Sequence, residues 1–291
     1  MTHLQGSVLV LVVGTIVSFN GLLFRSAEDA TPWEYLFFRG IGVTLIALPA
    51  MVIAIRRASG VTPRTQPIHV AAGIMLGLLN ALFIVALDLT TVAFVLFTQT
   101  LSPVVAAYAS WILVRERISR NAAIATAVSV LGVGVMVAGT ITSGLSATSL
   151  VAFALPLFFG IYATLIRTAD EIEPTVPVTI GGMTLIVCST IVVSAQGGFN
   201  MPAQDALIGL IAGAAFLGIP LVMFNYAQRA VPSSETTLLL MAEVVLAPLW
   251  VWLFVDEQPE VTTLVGGAII LAAVAWLTVS SRPRRTVVSH P

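Results

Sequence analysis

The 291-residue chain contains no lysine, and all 13 of its basic residues are arginines. Charge of either sign is scarce: 9% of residues, where a soluble domain carries about a quarter. With 58% hydrophobic residues and a mean hydropathy of +1.01, there is too little polar surface to face water on every side. Lipid is therefore the solvent for most of the chain. The formal net charge of -1 says nothing about partners, because the distribution of charge matters more than its sum. The single cysteine, Cys188, lies in an apolar run, which excludes an internal disulfide and suggests no metal site. The three histidines, His3, His69 and His290, fall near span ends or in the tail. No Walker-type glycine loop exists, so the chain hydrolyses no ATP of its own. His-Glu-x-x-His, Gly-x-Ser-x-Gly and paired-cysteine motifs are missing too, and no cofactor is expected. No basic face suggests nucleic acid. No polar stretch is long enough for a soluble domain. The opening MTHLQGSVLVLVV lacks a basic leader and a small-residue cleavage site, so it reads as a first span and not as a removable signal peptide.

What is present is long apolar runs separated by turn residues. A spanning helix needs about 20 mostly apolar residues. That ruler predicts ten spans, at about 5–24, 33–55, 68–87, 91–114, 121–140, 148–168, 176–196, 205–227, 234–254 and 261–281. Arginines gather in alternate short loops. Arg56, Arg57 and Arg64 follow span two, and Arg115, Arg117 and Arg120 follow span four. Arg167 ends span six, Arg229 ends span eight, and Arg282, Arg284 and Arg285 follow span ten. The opposite loops hold only Arg25. Positive charge marks the cytoplasmic side, so both termini are expected inside a bacterial inner membrane.

The chain also repeats itself. TVAFVLFTQTLSPVVAAYASWILVRE, from Thr91 to Glu116, resembles PSSETTLLLMAEVVLAPLWVWLFVDE, from Pro232 to Glu257. In that register Ser102 falls on Glu243. Glu28-Asp29-Ala30-Thr31-Pro32 before span two parallels Asp170-Glu171-Ile172-Glu173-Pro174 before span seven. Gly73 and Gly77 fall on Ala214 and Gly218. The expected fold class is an all-α integral membrane protein of two five-span halves, residues 1–142 and 143–291. An odd number of spans per half turns the second half upside down, which makes inverted repeats with a site near the bilayer midplane.

The order of these segments resembles the EamA-type ten-helix members of the drug/metabolite transporter superfamily. The resemblance rests on Pro32 and Arg39 opening span two, and on Ala86-Leu87 closing span three. It rests also on Leu101-Ser102-Pro103 with Glu116 thirteen residues on, and on Glu243 with Glu257 in the second copy. It covers essentially the whole chain. The family commonly has Glu-Pro where this chain reads Glu243-Val244, with its proline later, at Pro248. The resemblance implies a secondary transporter of a small metabolite, such as an amino acid or related compound, more often an exporter. It also implies that spans five and ten stand outside the cavity.

Several residues are candidates for transport chemistry. Glu243 lies near mid-bilayer, where an ionised carboxylate is costly, so it must be protonated, paired or open to a wet cavity. It reads either as a proton-coupling or substrate-binding carboxylate, or as a neutral acid bonding a neighbouring helix. Arg39, in LFFRGIGV, can receive a carboxylate or phosphate in a bidentate fork, snorkel to the interface, or pair with Glu243. Gln99 needs several partners and suits a cavity wall. Thr98, Thr100 and Ser102 can instead satisfy helix carbonyls. Asn20, Asn80, Tyr162 and Asn225 are weaker candidates of the same kind. Pro103, Pro156, Pro220 and Pro248 lie within spans and either gate or merely kink them. Tyr108, Trp111, Trp250 and Trp252 read as packing or interface anchors. Glu116 and Glu257, which close the two central spans, read as structural.

Spans five and ten are rich in small residues, which suits close packing at the periphery or a homodimer seam. Gly73 and Gly77 suit a contact between two helices of one bundle. The expected partners are thus lipid, a small solute, protons as a coupling ion and a second copy of the chain. Two rival classes stay open. An intramembrane lipid enzyme would need acids, histidines or a nucleophile clustered at one depth, whereas Glu243 stands nearly alone. A non-transporting scaffold would move no solute.

Overall fold

A computed structural model describes residues 3–57, 67–102, 104–105, 108, 120–142, 147–168, 173, 175–227 and 233–280. The described chain is helical, without strands. Five segments are long and apolar enough to cross a bilayer: Leu4–Arg25, Pro32–Arg57, Pro67–Leu89, Thr175–Ala195 and Ala203–Phe224. Shorter apolar helices include Ala123–Gly139, Leu150–Tyr162, Ala242–Val255 and Val261–Leu277. Outward-facing leucine, isoleucine and valine side chains are widely exposed, among them Leu131 at 68% and Ile191 at 65%, whereas Arg39 is 1% exposed. That inside-out distribution belongs to a protein whose outer solvent is lipid.

Where the sequence predicts single unbroken spans, several are interrupted. The first comprises α1 (His3–Val17) and α2 (Asn20–Arg25), separated by a turn at Ser18-Phe19. Ser18 Oγ donates to Thr15 O at 2.7 Å and Asn20 Nδ2 donates to Val17 O at 2.8 Å. Short polar side chains that bond nearby carbonyls compete with the helix ladder, which places the break here. The second and third spans, α3 (Pro32–Arg57) and α4 (Pro67–Leu89), are continuous. In the fourth, α5 (Val92–Gln99) stops at a turn over Thr100-Leu101, and Pro103 lies outside the described residues. The fifth is α6 (Arg120–Thr142). The sixth opens as a 3-10 turn, Ala147–Phe153, before α7 (Ala154–Thr168), and the seventh is α8 (Thr175–Ala195).

The eighth predicted span divides into α9 (Ala203–Gly213), a π-helical turn Ala214–Gly218 and α10 (Ile219–Ala227). The ninth and tenth predicted spans fall on α11 (Ser233–Val255) and α12 (Val261–Ser280).

The start of α3 shows why a helix begins where it does. Thr31 precedes Pro32 at the first helical position, and Glu34 follows three residues after the threonine. Glu34 Oε2 accepts from Thr31 N at 3.0 Å and from Thr31 Oγ1 at 2.8 Å, while Thr31 Oγ1 accepts from Glu34 N at 3.3 Å. This reciprocal box satisfies donors that the first turn leaves free. The other Glu34 oxygen accepts from Asn200 N at 2.6 Å, so the same cap fastens the loop before α9.

Glycines set the central crossings. A Cβ at Gly40 would lie 2.9 Å from Gly182 O, which brings α3 against α8 backbone to backbone. One at Gly77 would lie 2.8 Å from Gly181 O, so α4 meets α8 the same way. A Cβ at Gly42 would overlap Leu210 O, and one at Gly213 would overlap Arg39 O, which seats α9 on α3. The expected role of Gly73 and Gly77, joining helices of one bundle, is what the packing has. Around this centre, α1 packs on α11 and α10, and α7 packs on α4. To one side α6 and α12 pair with each other. Gly132, Gly139 and Gly266 lie in that contact, so these small residues serve packing within the chain.

Candidate functional site

Arg39 sits two turns inside α3, held among α8, α9 and the π turn. Its Nε and Nη1 are sealed from solvent and have no hydrogen-bond partner among the described residues. Tyr35 is one turn earlier on the same helix. Its hydroxyl lies beside the guanidinium in loose contact, short of a hydrogen bond of normal geometry, and it too is sealed and unpartnered. Buried donors without acceptors are rare, because each has lost its water for nothing in return.

Glu243, on α11, lies within electrostatic reach of Arg39. It is deep in the bundle, and it is only half-buried. Pro248 lies one turn further along and is buried. Having no N–H, it leaves Val244 O without its helical donor, next to Glu243.

Asn20 joins this region from the break in the first span. Its Nδ2 donates to Phe216 O at 3.0 Å, and its buried Oδ1 has no partner among the described residues. Phe216 lies within the π turn, and Pro220 explains why its carbonyl is free. A proline four residues on supplies no N–H, so the carbonyl takes its donor from another helix. Beside it, Phe19 stacks on Trp250 at 4.9 Å between ring centroids, and Trp250 Nε1 donates to Ser18 Oγ at 2.9 Å. Trp250 is therefore a packing anchor, and Trp111 lies outside the described residues.

Among the other predicted residues, Gln99 ends α5 half-buried, with its Oε1 sealed and unpartnered among the described residues. Ser102 Oγ donates to Gln99 O, Thr98 Oγ1 to Phe94 O at 2.7 Å and Thr100 Oγ1 to Phe97 O at 2.6 Å. These three hydroxyls bond backbone carbonyls three or four residues back along the same segment. Asn80 likewise donates to Leu76 O at 3.0 Å within α4. Tyr162 packs with Val43, Ala47, Leu76, Val178 and Leu217, a cluster separate from the main core. The side chain of Asn225 lies outside the described residues. Pro156 falls in the first turn of α7, directly after the 3-10 turn. Pro49, inside α3, was absent from the sequence-based candidates.

A second arginine–glutamate pair ties the chain together. Arg25 Nε meets Glu257 Oε2 at 2.7 Å, and Arg25 Nη2 donates to Thr90 O at 2.7 Å. Glu257 Oε1 accepts from Val92 N, also at 2.7 Å, at the start of α5. Nearby, Asp205 Oδ2 accepts from Asp29 N at 3.0 Å. The sequence reading missed Tyr35, Glu34 and Asp205. Tyr35 is legible as the residue four before Arg39, and Glu34 as the last position of Thr-Pro-Trp-Glu.

The arrangement sets a cationic donor within electrostatic reach of an acid among interrupted helices. Comparison with known proteins gives the class. Residues 4–138 and 146–279 each match the EamA-like transporter family, so the chain belongs to that family. It is a membrane protein of the drug/metabolite transporter type, and its kin are transporters, not enzymes. No protein of curated description matches it. Fifteen solved chains match. One, described as a crystal structure of a protein, is 15% identical with a TM-score of 0.67, over 97% of this chain and 99% of its own. That likeness concerns the fold.

Proposed function

We propose that the chain is a secondary active transporter of a small metabolite, an amino acid or related compound, working as an exporter by alternating access. Ten spans form two inverted halves, residues 1–142 and 143–291, in a bacterial inner membrane with both termini in the cytoplasm. Glu243 is the coupling carboxylate. Arg39, Asn20 and Gln99 line the path, and Pro220 and Pro248 loosen the helices that carry it.

The observation that carries this reading is the buried Arg39–Glu243 centre in a chain that matches a transporter family twice. The mirrored halves draw support from the helix pairings, which repeat when each span is exchanged with its counterpart five spans on. The pairing of α4 with α8 becomes that of α9 with α3, and the pairing of α1 with α10 becomes that of α7 with α4. The pairs α3–α8 and α6–α12 map onto themselves. Rocking of one half against the other would open the centre to each side in turn.

Reconstitution into liposomes tests the reading. Uptake of some metabolite from a mixed pool, driven by a pH step and absent from empty vesicles, is the expected result. If no solute moves in either direction, the chain is a scaffold.

A further inference from the structure

The unpartnered donors of Arg39 say more about the cargo than the family does. A guanidinium that is 1% exposed, with Nε and Nη1 both without partners among the described residues, is a cation with free donors on two of its edges in a dry place. Either donor can take an oxygen of a carboxylate or phosphate in a charge-assisted hydrogen bond. The Tyr35 hydroxyl, idle and beside it, supplies a further donor. Donors of this kind repel cations, and a neutral solute would bring Arg39 no counter-charge. We propose that Tyr35 and Arg39 receive an oxyanion of the transported solute, carboxylate or phosphate, and that Glu243 takes up one proton as that anion binds. The inference rests on the transporter reading and adds to it the charge of the cargo and the reason for coupling.

The proton follows from charge balance in a low dielectric. In the proposed cycle the empty site pairs Arg39 with an ionised Glu243, the two being in electrostatic reach of each other. An incoming anion claims Arg39 and leaves the Glu243 carboxylate without its compensating charge. Uncompensated charge at that depth is expensive, so the carboxylate binds a proton from the aqueous side. No bond is made or broken besides this protonation. By linkage the effect is reciprocal, and protonated Glu243 strengthens anion binding.

Few other groups compete for this role. Of the helices packed against α11, α5 and α12 carry no titratable residue, α1 has only His3 at its start, and α2 has only Arg25, held by Glu257. From α3 the groups are Tyr35 and Arg39, with Glu34 capped at the outer end. On α11 itself Glu235 stands at the first turn, two turns from Glu243.

The test uses the purified full-length protein and a panel sorted by charge. Acetate, benzoate, succinate, inorganic phosphate and phenyl phosphate are the anions. Benzamide and benzyl alcohol are the neutral controls, and putrescine and tetraphenylphosphonium are the cations. Thermal midpoints are read for each solute, and the best stabiliser is then titrated in weak buffer with a pH indicator. Midpoints should rise with the anions, and the carboxylate and phosphate arms separate the two kinds of oxyanion. About one proton should be taken up per anion bound in the wild type and none in Glu243→Gln. Arg39→Gln should lose about tenfold or more in anion affinity, the range of a charge-assisted hydrogen bond, and Tyr35→Phe less.

A merely structural Arg39 would move the midpoint of the unliganded protein but not the proton count. If cations or neutral solutes stabilise best, or if anions bind with no proton taken up, the inference is overturned while the transporter reading stands. If liposomes move no solute of any class, the transporter reading falls and takes this inference with it.

Discussion

Two arginine–glutamate pairs in this chain differ in almost every respect. Arg25 and Glu257 touch at 2.7 Å, lie near helix ends, and give their remaining hydrogen bonds to Thr90 O and Val92 N. Arg39 and Glu243 sit deep in the bundle, sense each other without a direct bond from Nε or Nη1, and leave donors idle. The first pair has what it needs from the protein itself, so its work is holding three helix ends together. The second pair leaves donors without acceptors among the described residues, and that is where the proposed solute would bind. Burial alone does not tell these roles apart; the state of the hydrogen bonds does.

The contrast can be broken by variants of either pair. The largest effect is expected at the centre: Glu243→Gln should reduce pH-driven accumulation in proteoliposomes to that of empty vesicles while leaving the protein monodisperse. If that variant transports normally across a pH series, Glu243 is a structural acid. Next, Glu257→Gln loses the ion pair and weakens the cap at Val92. Allowing for solvent screening of a partly exposed pair, about 2 kcal/mol of stability should go, read as a lowered unfolding midpoint with coupling retained. A comparable loss is expected from Gly213→Ala, whose methyl group would overlap the backbone of Arg39. Overpacking of this kind costs about 1–3 kcal/mol and should also weaken solute binding by shifting α9 from α3. The smallest effect is expected from Asn20→Ala, which removes the donor to Phe216 O: about 1 kcal/mol, measured by chemical unfolding in detergent.

Much of this was legible in the residues. Hydropathy located the long helices, and the spacing of Gly73 and Gly77 foretold a helix contact within the bundle. The duplication of the segment ending in Glu116 and Glu257 matches a family that recognises two copies in the chain. Glu243 and Arg39 stood out because charge in an apolar run is expensive.

Other features were hidden because they depend on a partner distant in sequence. The break at Ser18-Phe19 needs Phe216 and Trp250 beside it. The π turn at Ala214–Gly218 leaves no apolar signature, since a helix that is hydrophobic all round shows no change in period. Nothing in the sequence joins Arg25 to Glu257 across 232 positions. The hydroxyls of Thr98, Thr100 and Ser102, which could either line a cavity or satisfy helix carbonyls, bond carbonyls three or four residues back. Glu116, which the repeat register aligns with Glu257, lies outside the described residues, as does the side chain of Arg167, the counterpart of Arg25.

The sharpest check needs no substrate. Thermal midpoints of Arg39→Gln and Arg25→Gln, prepared side by side in one detergent, compare an arginine kept for a ligand with an arginine kept for the fold. A buried charge with idle donors contributes little to the unliganded state, and Glu243 takes a proton once its counter-charge is gone, so Arg39→Gln should melt near the wild type, and Arg25→Gln clearly below it. A drop in Arg39→Gln as large as that in Arg25→Gln would mean that both pairs are structural, and the centre would lose its claim to function.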